Sequence, residues 1–285
     1  MPTTLATQSY DAFYQVYKDI KTKGKLVSPR GQKVLEIENY NYVLPPYVRF
    51  ASFEARKLKI DYIKKEFLWY LKGDRFDLSI TEQASLWKTL INDDGSINSN
   101  YGQYLFFPKN HSIDDPYNQF GAAIQFLADD KDSRRASMMI LSKDHIMSKT
   151  NDLPCTYAIN FRIRDNKLNM TVRMRSQDMV YGMGNDAPTF SFTHEMACMV
   201  LRLQYPSLEL GEYYHSCDSA HIYERHFEML EQILDSKEVI EVDCPKMLTT
   251  DVGILMLFDE YNFPRQKCGE FIGWITDGTF TNKKE

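Results

Sequence analysis

No apolar run in this 285-residue chain approaches the roughly 20 residues that span a bilayer, so no membrane partner is expected. The opening MPTTLATQSYDAFYQVY lacks a charged start followed by an apolar block, and no signal peptide is read there. Cysteine is scarce: five residues, an odd number and widely scattered, do not make a disulfide framework. A reducing cytoplasm is the simplest expected location. Basic charge is not in excess either, with 34 Lys and Arg against 39 Asp and Glu. The net charge of −5 gives no global field of the kind nucleic-acid binders use, so no nucleic-acid partner is expected. Internal repeats and low-complexity linkers are missing as well. Helices and strands alternate without a clean boundary, so residues 1–285 read as a single domain of the α/β class.

What is present is apolar and aromatic. The composition is 43% hydrophobic and 13% aromatic, enough for a sizeable core. Residues 8–22 carry apolar side chains at helical spacing, and SPRGQKVLEI reads as a turn entering a strand. Residues 61–74, DYIKKEFLWYLKGD, predict a helix that stops at Gly73. SINSNYGQYLFF reads as a turn and then extended chain. NQFGAAIQFLADDKDSRRASMMIL reads as helix, charged turn and strand. CTYAINFRIRDNKLNMTVRMRS holds two alternating runs around RDNK, a β-hairpin signal. Residues 187–203 predict a buried helix, followed by a strand entering a helix and an extended C-terminal third. MRSQDMVYGMGNDAPTF, from Met174 to Phe190, is a poor strand and a poor helix, and reads as a glycine-rich turn holding an arginine, a serine and two aspartates.

Several residues could carry chemistry. Cys155 follows Pro154 at the start of a strand; a free cysteine is most often inert packing, which covers Cys198 inside its apolar helix. Arg175 lies one hairpin from Cys155 in sequence, and a cation beside the sulfur would lower the thiol pKa. Arg30, Arg134, Arg135 and Arg175 sit beside turns or strand ends. Singly each is a solvated charge; brought together they would hold a phosphate in guanidinium forks. THEMAC, residues 193–198, is an imperfect zinc helix, because Cys198 stands where a second histidine belongs. It reads as packing around His194, with no metal expected. His221 and Tyr223 alternate on a strand, either as sugar-binding donors or as an ordinary half-exposed face. Glu66 is a solvated helix acid, or a carboxylate at the edge of an apolar pocket with a raised pKa.

Together these stretches resemble the thymidylate synthase family over most of the chain. EFLWYLKGD resembles the family's glutamate helix, INSNYGQ its tyrosine loop, DSRR its dimer-crossing arginine pair and LPCTY its nucleophile. RSQD resembles its phosphate and folate element, and SAHIYERH its sugar-binding His-x-Tyr. The resemblance implies a thymidylate synthase fold, a large twisted mixed β-sheet flanked by helices, dimerised through the sheet face. It implies a nucleoside monophosphate and 5,10-methylenetetrahydrofolate as co-substrates. Carried over by position, Cys155 would be the nucleophile on carbon 6, Glu66 would organise water and protons, and Tyr101 would sit near carbon 5. Arg30, Arg175, Ser176 and Gln177 would contact the nucleotide, with Arg134 and Arg135 arriving from the other subunit. His221 and Tyr223 would hold the sugar, and Asp178, Trp87 and Glu66 would face the folate.

Three positions depart from the uracil-specific pattern. Asp186 stands where the synthases carry asparagine. A protonated carboxyl can donate to ring nitrogen 3 of cytosine and accept from its amino group. It also supplies a proton that makes carbon 6 more electrophilic. GMGND thus resembles the matching element of phage deoxycytidylate hydroxymethylases. Thr156 replaces the histidine after the nucleophile. Leu90 replaces a second tryptophan, and the ending DGTFTNKKE is polar rather than apolar. The last two lean toward addition of water over hydride. The leading expectation is hydroxymethylation of dCMP. A CMP hydroxymethylase, reading the 2′-position through residues such as Ser133 and Ser176, is the nearest alternative, followed by a dCMP methylase or a thymidylate synthase. A non-catalytic nucleotide- or RNA-binding protein is the alternative of a different class.

Overall fold

The computed structural model describes residues 5–106, 118–236, 238–256 and 269–277. Its centre is one mixed sheet of β1 (Lys25–Val27), β2 (Val34–Leu44), β3 (Ser137–Met139), β4 (Thr156–Arg164), β5 (Lys167–Met174), β6 (Gln177–Asp178) and β7 (Glu209–Tyr223). The order is β1-β2-β7-β5-β4-β3, with β6 continuing the line of β5 beside β7. The β5–β7 and β6–β7 pairs are parallel and the others antiparallel. Helices α1 (Leu5–Lys23), α2 (Ile60–Lys72), α3 (Gly102–Leu105), α4 (Gln119–Asp129), α5 (Lys143–Met147), α6 (Tyr181–Leu201), α7 (Phe227–Ser236), α8 (Thr249–Met256) and α9 (Glu270–Thr276) complete the described chain. This is the mixed sheet with flanking helices that the sequence resemblance implies.

Local chemistry accounts for the key turns. The β4–β5 hairpin closes on Asp165 and Asn166, with φ of 50° and 58°, the left-handed pair of a two-residue turn. Helix α2 ends at Gly73, φ 60°, whose N–H donates to the Tyr70 carbonyl. Helix α6 is buried nearly all round and lies on one face of the sheet, where His194 donates through Nε2 to the Leu168 carbonyl on β5. The other face carries Asn160 and Arg162 on β4, Thr171 and Arg173 on β5, and Tyr214 and Ser216 on β7. These are exposed or half-exposed. The buried positions alternate with them, as strand geometry requires.

Three expectations fail. The stretch read as a glycine-rich turn is the start of α6, which begins at Tyr181 and not at 187. Gly182, Gly184 and Pro188 are all weak helix formers, so local propensity hid the helix. Tertiary packing overrides it: a Cβ on Gly184 would fall on the Arg56 guanidinium, which donates to the Val180 carbonyl at 3.0 Å. Residues 102–105, expected to be extended, form the single turn of α3, where Gly102 packs directly on the Tyr70 backbone. Within the described part of the C-terminal third, α8 and α9 are helices and not extended chain, each short and containing a glycine. The polar ending beyond Asp277 lies outside the described residues.

Candidate active site

Cys155 immediately precedes β4 and stands at the centre of the cluster. The Arg175 N–H donates to the Cys155 carbonyl at 2.8 Å, continuing the β4–β5 ladder. The Arg175 guanidinium then turns back, donating to the carbonyls of Pro154 at 3.0 Å and Leu153 at 2.7 Å, with Nη2 at 3.5 Å from Cys155 Sγ. The loop carrying the sulfur is therefore braced by the cation beside it. Burial is nonetheless the larger influence and raises the Cys155 pKa, while Arg175 and Arg30 pull it down. This corrects the expectation of a thiol already acidified by Arg175: the two cations offset desolvation without overcoming it.

Tyr101 caps the cluster from the loop before α3. Its hydroxyl accepts from the Cys155 N–H at 3.3 Å, and its ring stacks between Tyr70 and Phe190. Asp152 ties the two loops together, accepting from the Ser99 N–H and hydroxyl, each at 2.6 Å. Sequence reading did not find Asp152, because the contact joins positions far apart in the chain.

Two acids face one another in the cluster, and one of them, Asp186, acts on the sulfur. Glu66, on α2, is 3% exposed, which excludes the solvated alternative. Burial first, and then the nearby Asp186, push its pKa up to about 8. Its Oε1 accepts from Tyr62 at 2.9 Å, and Tyr62 in turn accepts from Trp87 Nε1 at 2.9 Å. Glu66 Oε2 is buried with no hydrogen-bond partner among the described residues. Tyr62 was missed, although its spacing four residues before Glu66 on a helix signals the contact. Asp186 sits in the second turn of α6, and burial raises its pKa to about 7. Gln177 Nε2 donates to Asp186 Oδ2 at 3.1 Å, and Tyr42 donates to Gln177 Oε1 at 3.3 Å.

The rest of the expected set divides. Asp178 lies on β6 opposite His221 on β7, and accepts from the Val180 N–H at 2.9 Å. His221 and Tyr223 meet edge to face at 5.0 Å. Arg30 occupies a left-handed turn, φ 51°, before β2, and its charge acts on both Cys155 and Tyr223. Ser176 is half-buried between Arg175 and Gln177. Arg134 and Arg135 do not join them. Both are exposed, and Arg135 packs over Phe126 of its own chain at 4.6 Å. Ser137 pairs with Asn160, so the arginines lie beyond the middle of β4. At the strand rise, that is on the order of 20 Å from Cys155. His194 and Cys198 pack inside α6, and burial holds the histidine pKa down at about 4.

The arrangement presents a thiol, two protonatable acids and two arginines around one space: equipment for covalent addition to a ring and proton transfer to it. Comparisons with known proteins agree with that chemistry. A family model described as thymidylate synthase matches residues 11–253. The chain is 28% identical over 222 residues to the deoxycytidylate 5-hydroxymethyltransferase of Enterobacteria phage T4, covering 74% of this chain and 85% of that protein. It is 29% identical over 222 residues to the deoxyuridylate hydroxymethyltransferase of Bacillus phage SP01, covering 73% of this chain and 56% of that one. It is 28% identical over 166 residues to the thymidylate synthase of Bacillus licheniformis, covering 57% and 56%.

Proposed function

The chain belongs to the thymidylate synthase family, and on that premise we propose that it transfers a one-carbon unit to carbon 5 of a cytidine monophosphate, dCMP in particular, and adds water to give the 5-hydroxymethyl nucleotide. The relatives' names include both cytosine and uracil nucleotides, so names do not select the base. The observation that carries the choice is Asp186: a half-buried carboxyl whose desolvation raises its pKa to about 7, with only Gln177 hydrogen-bonded to it among the described residues. Such a group is substantially protonated near neutrality. It can donate to nitrogen 3 and accept from the amino group, the pair that cytosine presents and uracil does not.

In this reading Cys155 releases its proton to solvent as binding of the ring brings carbon 6 to the sulfur, with Arg175 stabilising the thiolate. The sulfur bonds to carbon 6 while Asp186 protonates nitrogen 3, leaving carbon 5 nucleophilic. 5,10-methylenetetrahydrofolate supplies the one-carbon unit; the unpartnered Glu66 Oε2 and the Asp178 carboxylate suit a polar co-substrate there. Tyr101, fixed against the nucleophile loop, stands where the carbon 5 proton departs. Loss of that proton expels tetrahydrofolate and leaves an exocyclic methylene; water adds to this carbon, and the sulfur then leaves carbon 6 as nitrogen 3 returns its proton to Asp186. Arg30 and Arg175 bind phosphate. Arg134 and Arg135, too far away within one chain, would complete that site in a homodimer packed through the polar sheet face.

The test is product mass after incubation with 5,10-methylenetetrahydrofolate and each of dCMP, CMP and dUMP. A hydroxymethyl gain on dCMP is expected. A methyl gain overturns the reaction, a product from dUMP alone overturns the base, and a product from CMP at equal efficiency overturns the sugar. No product from any, with nucleotide still bound, favours a binding protein.

A further inference from the structure

The carboxyl of Asp186 can serve as a donor only if its proton rests on an oxygen that faces outward, and the sequence of hydrogen bonds behind it decides which oxygen that is. Gln177 presents Nε2, not its carbonyl, to Asp186 Oδ2. An amide that donates to Oδ2 requires Oδ2 to accept, so the proton belongs on Oδ1. A glutamine turned over would place a carbonyl against Oδ2 and draw the proton onto that oxygen, pointing it into the protein. What opposes that turn is Tyr42, whose hydroxyl donates to Gln177 Oε1 at 3.3 Å. Tyr42 is itself held: it is 7% exposed, and its ring stacks on His215 at 4.7 Å and 9° between planes. His215 is fixed in turn by Tyr213, with 2.8 Å between the hydroxyl and Nδ1. Burial keeps His215 neutral, its pKa down at about 3, so this stack adds no charge behind the carboxyl.

We propose that Tyr42 is a positioning residue for Asp186, fixing the Gln177 amide so that the carboxyl proton is carried on Oδ1; this rests on Asp186 as the donor to the base. Tyr42 touches no substrate in this scheme; its hydrogen-bond link to the carboxyl runs through Gln177, and its hydroxyl also meets Tyr213. The carboxyl also faces Glu66, Tyr62 and Tyr70 from α2, Tyr101 from the loop before α3, Cys155 beside β4, Tyr213 on β7 and Asp178 on β6. None of these donates a hydrogen bond to it among the described residues. Gln177 is the group that favours its ionised form.

The experiment is infrared titration of the Asp186 carboxyl in the full chain without ligand, isolated by subtracting Asp186→Asn. Tyr42→Phe frees the amide to turn, and the ionised form loses its donor. The carboxyl titration is expected to move upward by about one to two pH units, the size of one hydrogen bond to a charged group. Gln177→Leu should produce the same shift, which keeps the test open if the phenylalanine variant fails to fold. Turnover of dCMP should fall in Tyr42→Phe and fall no further when Asp186→Asn is already present, since both act through one group. An unmoved titration in both variants, or fully additive losses of kcat, overturns the proposal. A moved titration in an enzyme whose base preference ignores Asp186→Asn leaves the network standing and removes the reading of cytosine.

Discussion

Helix α6 carries two acids in opposite settings, Glu195 buried and Asp186 half-buried at the site. Glu195 is wholly buried beside Arg49, with Nη2 at 2.8 Å from Oε2, and its other oxygen accepts from the Met247 N–H at 2.8 Å. Arg49 in turn lies over the Phe192 ring at 5.0 Å. Asp186, nearer the start of the same helix, has no cation within ion-pairing distance among the described residues and one neutral amide donor. Burial of a charge is costly unless the charge is paired. At Glu195 the fold provides the partner and the result is a fastening between α6, Arg49 and the backbone ahead of α8. At Asp186 the fold withholds it, and the acid responds by holding its proton, with a pKa of about 7. Uncompensated burial on a helix that is otherwise packed is a cost to stability that a donor to a ring nitrogen would explain.

The largest effect is expected where Asp186 is made unable to ionise. Asp186→Asn keeps shape and can still accept from Gln177, yet it has no proton to give. With dCMP, kcat is expected to fall by about 10²–10⁴-fold, the range for losing a general acid. The amide can turn to match uracil, and leaving a polar group unpaired against the wrong base costs about 1–3 kcal/mol. The ratio of kcat/KM for dUMP over dCMP should therefore rise by at least about tenfold. Product mass with both nucleotides measures it, and an unchanged ratio removes Asp186 from base selection.

The paired side breaks next. Arg49→Met strands Glu195 in the core, at an expected cost of about 3–5 kcal/mol in urea unfolding. Adding Glu195→Gln should recover much of that loss, because no charge is then left unpaired. If the single variant loses less than about 1 kcal/mol, the ion pair is not what separates the two acids.

How much of this contrast the sequence displays depends on distance along the chain. The glutamate helix, the RDNK hairpin and the Cys155–Arg175 neighbourhood are legible because each is local: a periodicity, a turn pair, two adjacent strands. Glu195 and Asp186 look alike as letters in one helix, and nothing near Glu195 announces Arg49. The start of α6 is illegible for a related reason. Its glycines and proline argue against a helix, and the Arg56 guanidinium that occupies the space over Gly184 comes from a distant turn. The family resemblance reached Asp186 where periodicity did not, but it supplied a position and no environment. The roles of Tyr42 and Asp152 and the surroundings of both acids lie in contacts between segments distant in the chain. The expectation for Arg175 failed on the same ground: the cation is where it was placed, and the depth of the thiol was not visible.

The raised acids also make stability depend on pH. Asp186 is raised from 3.8 to about 7, and Glu66 from 4.5 to about 8. For a raised acid, the stabilising contribution is complete below the unfolded pKa and is lost as pH rises through the folded one. Between about pH 4 and 8 these two residues should therefore make the protein progressively less stable. The loss is up to about 4 kcal/mol for Asp186. Chemical unfolding across that range should show Asp186→Asn gaining on the parent as pH rises, with the two curves meeting near pH 4. A constant gap between the curves would mean that the carboxyl titrates normally.

The smallest effect expected is at Tyr62, which does for Glu66 what Gln177 does for Asp186. Its hydroxyl is the hydrogen bond that favours the ionised form of Glu66, against burial and the charge of Asp186. Tyr62→Phe removes it and leaves the ring in place, while Trp87 Nε1 loses its acceptor. The Glu66 pKa, already near 8, should rise by about one pH unit or somewhat more, the lower end for a bond to a charged group. Because Glu66 and Asp186 repel one another when ionised, the pair titrates as a unit. The shift should appear in the higher of two apparent pKa values. The limb of kcat/KM for dCMP at the higher apparent pKa should move to higher pH by the same amount, while the limb at the lower one should stay within about a few tenths of a unit. A profile displaced as a whole would show that Tyr62 supports the site generally. An unmoved profile would show that Glu66 holds its proton by burial alone, and the two acids of the site would then differ in kind.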